Sequence, residues 1–184
     1  MMWLLLMACS SAPSVPADLE DMHAALEAWR DAETHRKAGD YLSALEDMER
    51  ALEKDDRSPE LWLSTGHVLA GLQRFDEAIA AASRALELRV GWSDAYYDRA
   101  CWYARAGQIE RAASDLAIAL SEGGIDRLTA AADPDLEALR ADERFSSIIP
   151  DRYLPADVQA DGRSFFLGSD WEVHFKFLNR PESA

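Results

Sequence analysis

The chain has 184 residues, a formal net charge of −15 at neutral pH and a sequence pI of about 4.6. Hydrophobic residues make up 48% of it, which is enough to bury the core of one domain with extensions. So negative a chain is repelled by phosphate groups, which argues against a binding surface for DNA, RNA or an anionic membrane.

The chain begins with a short apolar run that ends in a small residue and a cysteine. Residues 1–8 read MMWLLLMA, and Cys9 and Ser10 follow. This pattern resembles the signal peptide of bacterial lipoproteins. The resemblance implies cleavage after Ala8 and lipidation of Cys9. A transmembrane helix is excluded because it needs about 20 apolar residues. The alternative is a disordered apolar N-terminus with an ordinary free cysteine.

Residues 9–17 are small, polar and interrupted by prolines, which is typical of a tether between an anchor and a folded domain. Ser10, directly after the cysteine, resembles the outer-membrane sorting signal of Gram-negative lipoproteins. The resemblance implies a lipid-anchored protein of the bacterial cell envelope, at the outer membrane and facing the periplasm. The membrane would be bound by the lipid anchor only.

Residues 18–122 repeat a pattern of small residues at a fixed interval of 34. Ala44, Ala78 and Ala112 stand 34 residues apart, and an Ala-Leu pair follows each of them seven residues later. The small residues twelve places before these alanines are Ala32, Gly66 and Ala100. Such a period is typical of stacked helical hairpins, each of which buries its apolar face on its neighbours.

The second copy carries the fullest set of characteristic residues, namely Trp62, Gly66, Phe75, Ala78, Ala85 and Leu86. These residues resemble the tetratricopeptide repeat. The resemblance implies a mainly α fold, an α-solenoid of three hairpins with repeats at about 25–58, 59–92 and 93–126. The first copy departs most, with Ala28 where an aromatic residue is usual and His35 where a large apolar residue or Tyr is usual.

Helix start signals and turn residues divide the array into six helices. Ser58 followed by Pro59 is the clearest start, because serine caps a helix and proline suits its first position. The predicted helices span residues 18–38, 41–54, 59–72, 75–88, 94–106 and 109–121, with Ser93 as the cap of the fifth. The predicted core comprises Leu45, Met48, Leu52, Trp62, Leu69, Phe75, Ile79, Leu86, Tyr96, Tyr103, Leu116 and Leu120.

Residues 123–150 are predicted to be two or three short capping helices rather than a fourth repeat. Asp133-Pro134 and Asp142 mark the points where one helix ends and the next begins. Residues 133–145 resemble a segment often found after the last tetratricopeptide repeat in bacterial proteins. The side chains expected to cover the last hairpin are Leu136, Leu139, Phe145, Ile148 and Ile149.

Residues 151–184 form a β-rich tail according to their pattern. Large apolar and polar residues alternate over residues 171–177, which predicts a strand with one buried face. A second strand is expected at residues 164–167, which completes a short hairpin. The buried face must cover something, and we favour the flank of the array over a partner or the rest of a β-sandwich.

The resemblance implies that the first helices of the repeats line a concave groove for an extended peptide or a partner helix. The predicted groove residues are Trp29, Glu33, Arg36, Lys37, Leu63, His67, Ala70, Trp92, Tyr97, Cys101 and Arg105. Basic residues beside aromatic ones favour a partner with an acidic or C-terminal segment and an apolar anchor. The alternative, weighed equally, is that these positions are simply solvated and a partner binds elsewhere.

One family subtype grips a C-terminal carboxylate with Lys and Asn, but that clamp is absent here. The corresponding positions hold Trp29, Glu33, Ser64, Asp94 and Asp98.

No pattern for catalysis or metal binding stands out. The four histidines lack the spacing of a metal site, and Cys101 has no histidine near it in sequence, which leaves a buried or groove-lining thiol. We therefore predict no metal, no cofactor and no enzymatic activity, and interpret the chain as a protein–protein interaction scaffold. The alternative is a small-ligand or enzymatic role carried by the tail or by a further C-terminal domain.

Overall fold

The computed structural model of the chain describes residues 17–150. Three helical hairpins come first. Their helices are α1 (Ala17–Lys37), α2 (Tyr41–Lys54), α3 (Pro59–Gly71), α4 (Phe75–Leu88), α5 (Ser93–Arg105) and α6 (Ile109–Ser121). The six helices predicted from the sequence are confirmed, with ends that differ by at most one residue. The lipidation site at Cys9, the signal peptide, most of the tether and the tail strands lie outside the described residues.

Small residues let the two helices of each hairpin approach closely. Helix α1 packs on α2, α3 on α4, and α5 on α6, while the second helix of one hairpin contacts the first helix of the next. A Cβ atom on Gly66 would lie 3.3 Å from the carbonyl oxygen of Ala78. Ala44, Ala78 and Ala112 are fully buried. The recurrent small residues therefore stand at helix contacts, as the repeat predicts.

Gly66 also makes room for the next repeat. A Cβ atom there would lie 2.5 Å from the ring of Trp102, a buried residue of α5. Trp102 is not among the core residues predicted from the sequence. Its ring fills the space that the missing side chain of Gly66 leaves, so this glycine serves the contact between hairpins as well as the contact within one.

The predicted core separates into buried residues and residues at its margin. Met48, Leu69, Ile79, Leu86, Tyr103, Leu116 and Leu120 are buried. Leu45, Leu52, Trp62, Phe75 and Tyr96 are half-buried and pack against the core from its edge. Many of the remaining buried residues are alanines, which is the composition that close helix packing demands.

The start of α5 differs from the prediction. Ser93 was expected to cap a helix beginning at Asp94, but it is the first helical residue, and Trp92 stands at the cap without a side-chain capping bond. The Ser93 hydroxyl instead faces the end of the hairpin, where a Cβ atom on Gly124 would lie 1.9 Å from it. The predicted serine cap of α3 is confirmed, since Ser58 Oγ accepts the Leu61 N–H.

The capping segment is helical, as predicted. It consists of α7 (Arg127–Ala132), a 3-10 helix (Pro134–Leu136), α8 (Glu137–Arg140) and α9 (Glu143–Ile148). Aspartates cap three of these starts, namely Asp126, Asp133 and Asp142. Leu136, Leu139, Phe145 and Ile149 are buried and Ile148 is half-buried, in contact with the last hairpin. The capping segment thus covers the apolar face that the array would otherwise expose.

Candidate functional site

Polar side chains join the first helices of successive hairpins. Trp29 Nε1 on α1 donates to Ser64 Oγ on α3 at 3.0 Å. His67 Nε2, farther along α3, lies 3.0 Å from Asp98 Oδ2 on α5, and its ring meets Trp102 edge-on. Helices α1, α3 and α5 therefore form one wall, with groove residues placed along it.

The α1 side of this wall carries an ion pair and an exposed lysine. Arg36 donates two hydrogen bonds to the Glu33 carboxylate, at 3.0 and 2.8 Å. These bonds hold the pKa of Glu33 below its ordinary value against the opposing effect of burial. Lys37 is exposed and, among the described residues, has no hydrogen bond or ion pair. Lys37 therefore adds positive charge to this region, as does Arg30, which is also exposed on α1.

The α5 side of the wall is occupied by the chain itself. The Tyr97 hydroxyl donates to Asp133 Oδ2 at 2.6 Å, and Arg105 Nη1 donates to Asp135 Oδ1 at 2.6 Å. The Arg105 guanidinium also lies 5.2 Å from the centre of the Phe75 ring. Tyr97 and Arg105 were predicted to line an open groove. They contact the capping segment instead, because that segment folds back over α5.

Cys101 and Leu63, two more predicted groove residues, are buried at 5% and 6% exposure. Neither offers a surface to a partner. Burial raises the pKa of the Cys101 thiol, and the negative charges of Asp133 and Asp98 raise it further. The thiol therefore stays protonated, which makes it a poor nucleophile and a poor metal ligand.

Trp92 lies at the rim, in the loop before α5. Its ring is half-buried and the Arg89 guanidinium stands 4.5 Å from the ring centre. Its Nε1 donates to Asp94 Oδ2 at 3.4 Å. Arg89 is paired with Glu60 at the start of α3 as well. These contacts fasten the loop between the second and third hairpins.

The model of the tetratricopeptide repeat family matches residues 30–91. The three hairpins have the fold of tetratricopeptide repeats. Solved repeat domains with the same fold include the first TPR of Spaghetti (RPAP3) bound to HSP90 peptide SRMEEVD. It is 19% identical, with a TM-score of 0.57, over 65% of this chain and 90% of that one.

Two further solved structures share the fold. MamA is 20% identical with a TM-score of 0.59, over 70% of this chain and 73% of that one. The Yersinia enterocolitica type III secretion chaperone SycD, in complex with a peptide of the translocator YopD, is 18% identical. Its TM-score is 0.53, over 67% of this chain and 88% of that one. At these identities the likeness concerns the fold.

The open part of the tetratricopeptide groove is consequently shorter than predicted. It comprises the surface of α1 and α3, and its accessible or half-buried members are Trp29, Glu33, Arg36, Lys37, His67 and Ala70. Within this region Arg36 pairs with Glu33, and His67 Nε2 contacts the Asp98 carboxylate. Trp29 and Lys37 remain as an apolar and a basic feature on one helix.

Two polar pairs inside the repeats, each with a buried aspartate, were not predicted from the sequence. Asp47 and Asp115 occupy the same repeat position and are each 6% exposed. Arg99 donates to both oxygens of Asp115 at 2.6 and 3.1 Å, and His35 Nδ1 lies 2.7 Å from Asp47. Asp47 and Asp115 are 68 residues apart, twice the repeat period, and this recurrence was the signal available in the sequence. These pairs join the helices of a hairpin and face no groove.

Within residues 17–150, no group of three or more potential ligands is arranged to hold a metal ion. No helix in that range has the length and hydropathy to cross a membrane.

Proposed function

We propose that this chain is an interaction scaffold whose shortened groove, on α1 and α3, binds a peptide segment of a partner protein. The observation that carries the proposal is Trp29, half-buried and hydrogen-bonded to Ser64 at 3.0 Å, with the exposed Lys37 eight residues farther along α1, about 12 Å away. A ring held in one orientation binds with little loss of side-chain entropy. Solved repeat domains of the same fold carry bound peptides, which supports this mode of recognition.

The partner segment that fits this groove has an apolar side chain and an acidic one. The apolar side chain lies against Trp29, and the acidic one faces Lys37. On α5, the first helix of the third hairpin, Arg105 donates a hydrogen bond to the carboxylate of Asp135. This contact shows how a basic residue on a first helix binds an acidic side chain. Glu33 and Asp98 place negative charge where the carboxylate-gripping subtype has polar or basic residues, so a free C-terminal carboxylate gains little here.

The test is selection of a displayed peptide library on the full-length chain, followed by affinity measurements with variants. Trp29→Ala is expected to weaken binding about thirtyfold, because a buried aromatic anchor contributes about 2 kcal/mol. Lys37→Glu is expected to weaken an acidic peptide about tenfold. Arg57→Glu makes the same charge change in the loop before α3 and should leave the affinity unchanged. Equal affinities for all four proteins would overturn the proposed groove.

We also propose that the chain is a lipoprotein of the bacterial envelope, anchored through Cys9 at the outer membrane. The apolar run that ends in Ala8-Cys9 and the polar tether after it support this location. In cells fed a clickable palmitate analogue, Cys9→Ser should lose the label and leave the membrane fraction. Cys101→Ser, at the buried cysteine, should keep both. Labelling that survives Cys9→Ser would contradict the anchor.

A further inference from the structure

One apolar face of this chain is exposed in the structure, and a second is predicted from the sequence. The first is on α1, where Leu19, Met22 and Leu26 follow one another by three and four residues and so share one helix face. They are 45%, 47% and 49% exposed. We call these three residues the α1 stripe. The second is the alternating apolar face that the sequence predicts for residues 171–177. Grouped apolar residues of this kind mark interaction surfaces.

The remaining apolar surface of the described residues is already accounted for. The capping segment covers the last hairpin with Leu136, Leu139 and Ile149, each fully buried. The tail is therefore not needed there. Leu42 and Val90 are also exposed, but they stand singly on different parts of the array. The α1 stripe is thus the grouped apolar surface that remains open in residues 17–150.

The tail is long enough to reach the α1 stripe, and its predicted strand is long enough to cover it. The α1 stripe extends from Leu19 to Leu26, about 11 Å of helix. The apolar positions 171, 173 and 175 of a strand extend over about 13 Å. Residues 151–170 connect the end of the described chain to this segment and reach up to about 65 Å when extended. Three stacked hairpins, with helices about 10 Å apart, are well within that distance.

Charge does not oppose the same occupant. Glu20 and Glu27 flank the α1 stripe as exposed residues. Residues 170–180 carry Lys176 and Arg180 against Asp170 and Glu172, so their formal charge is zero. Burial of apolar surface is therefore the main contribution to docking. A segment of the same chain also binds at a high effective concentration.

We propose that the α1 stripe is the docking surface for the chain's own tail, whose residues 171–177 add along α1 with their apolar positions against it. The tail then lies against α1, at the N-terminal end of the array, and covers the apolar residues exposed there. It lies N-terminal to Trp29 on α1 and does not depend on peptide binding in the groove.

The test is site-specific photocrosslinking in the full-length chain, with p-benzoylphenylalanine in place of Met22. A mixture of unlabelled and ¹⁵N-labelled copies separates crosslinks within one chain from crosslinks between chains. A second protein with the probe in place of Leu42, which is 67% exposed on α2, is the control. Mass spectrometry should recover residues 171–177 joined to position 22 within the same copy, and not joined to position 42.

Variants of the tail sharpen the outcome. Phe175→Asp, on the apolar face, is expected to reduce the crosslink yield about tenfold, since burial of this ring drives docking. His174→Asp, on the opposite face, should leave the yield unchanged. Crosslinks between labelled and unlabelled copies would overturn the proposal in favour of a dimer of the chain. Crosslinks to another protein, or equal yields from positions 22 and 42, would also overturn it.

Discussion

At the scale of single residues, hydrogen bonds to a buried aspartate compensate for a departure from the repeat pattern. His35 stands where the family usually has a large apolar residue or Tyr, and in the structure it lies 2.7 Å from Asp47. Arg50 also donates to Asp47. Burial alone would raise the pKa of Asp47, but the hydrogen bonds from Arg50 and His35 outweigh it and leave the pKa below its ordinary value. The first repeat therefore keeps its register through polar contacts.

The low pKa of Asp47 predicts a dependence of stability on pH. A carboxylate whose pKa is lower in the folded state stabilises the protein fully above its unfolded pKa of about 3.9, and this contribution is lost as the pH falls further. Asp47→Asn should therefore cost about 1–3 kcal/mol of unfolding free energy at pH 7 and clearly less at pH 3. Urea unfolding at both pH values measures this, and an equal loss at both would contradict the assignment.

Gln73 adopts a backbone conformation that suits glycine. Its φ is 60°, while Gly39 and Gly107, at the same repeat position, have φ values of 79° and 74°. Gln73→Gly should stabilise the protein by about 0.5–1 kcal/mol. The substitution relieves backbone strain in the folded state, and this gain exceeds the cost of the added entropy of the unfolded chain. Gly107→Gln, where a Cβ atom would meet nothing within 4 Å, should destabilise it by about 1 kcal/mol. The midpoints of urea unfolding test both predictions, and a lower midpoint for Gln73→Gly than for the unsubstituted chain would contradict the first.

At the scale of helices, one crossing tests the packing of the repeat. Ala78 is fully buried on α4 against Gly66, whereas Ala80, two residues on, is exposed. Ala78→Leu should overpack this crossing and cost about 1–3 kcal/mol. Ala80→Leu should change stability by less than about 0.5 kcal/mol. Similar unfolding midpoints for the two variants would show that the crossing is not as close as the structure describes.

The sequence predicted the helices well because their signals are local or periodic. Ala44, Ala78 and Ala112 recur at the period, and Ser58 precedes a proline at a helix start. The groove was predicted less well because its limits depend on a contact that no period encodes. Asp133 reaches Tyr97 only after the chain turns back over α5. For the pair of Arg99 with Asp115, the sequence offers only the recurrence of aspartate at positions 47 and 115, and nothing in it names the partner.

At the scale of the whole molecule, a repeat array has two ends with exposed apolar faces. The C-terminal end is closed by the capping segment. On α1, Glu27 and Thr34 are exposed at the repeat positions where α3 has the buried Leu61 and Val68. The first hairpin is therefore polar where later hairpins meet a neighbour. The surface that remains for a partner peptide lies on α1 and α3.

The most direct test of this account compares two basic residues at equivalent positions in different repeats. Lys37 is exposed on α1, and Arg105 is held by Asp135 of the capping segment. For an acidic peptide selected on the full-length chain, titration calorimetry should show that Lys37→Ala weakens binding about threefold to tenfold. Arg105→Ala should leave the affinity unchanged. A loss of affinity for Arg105→Ala with none for Lys37→Ala would contradict a groove confined to the first two repeats.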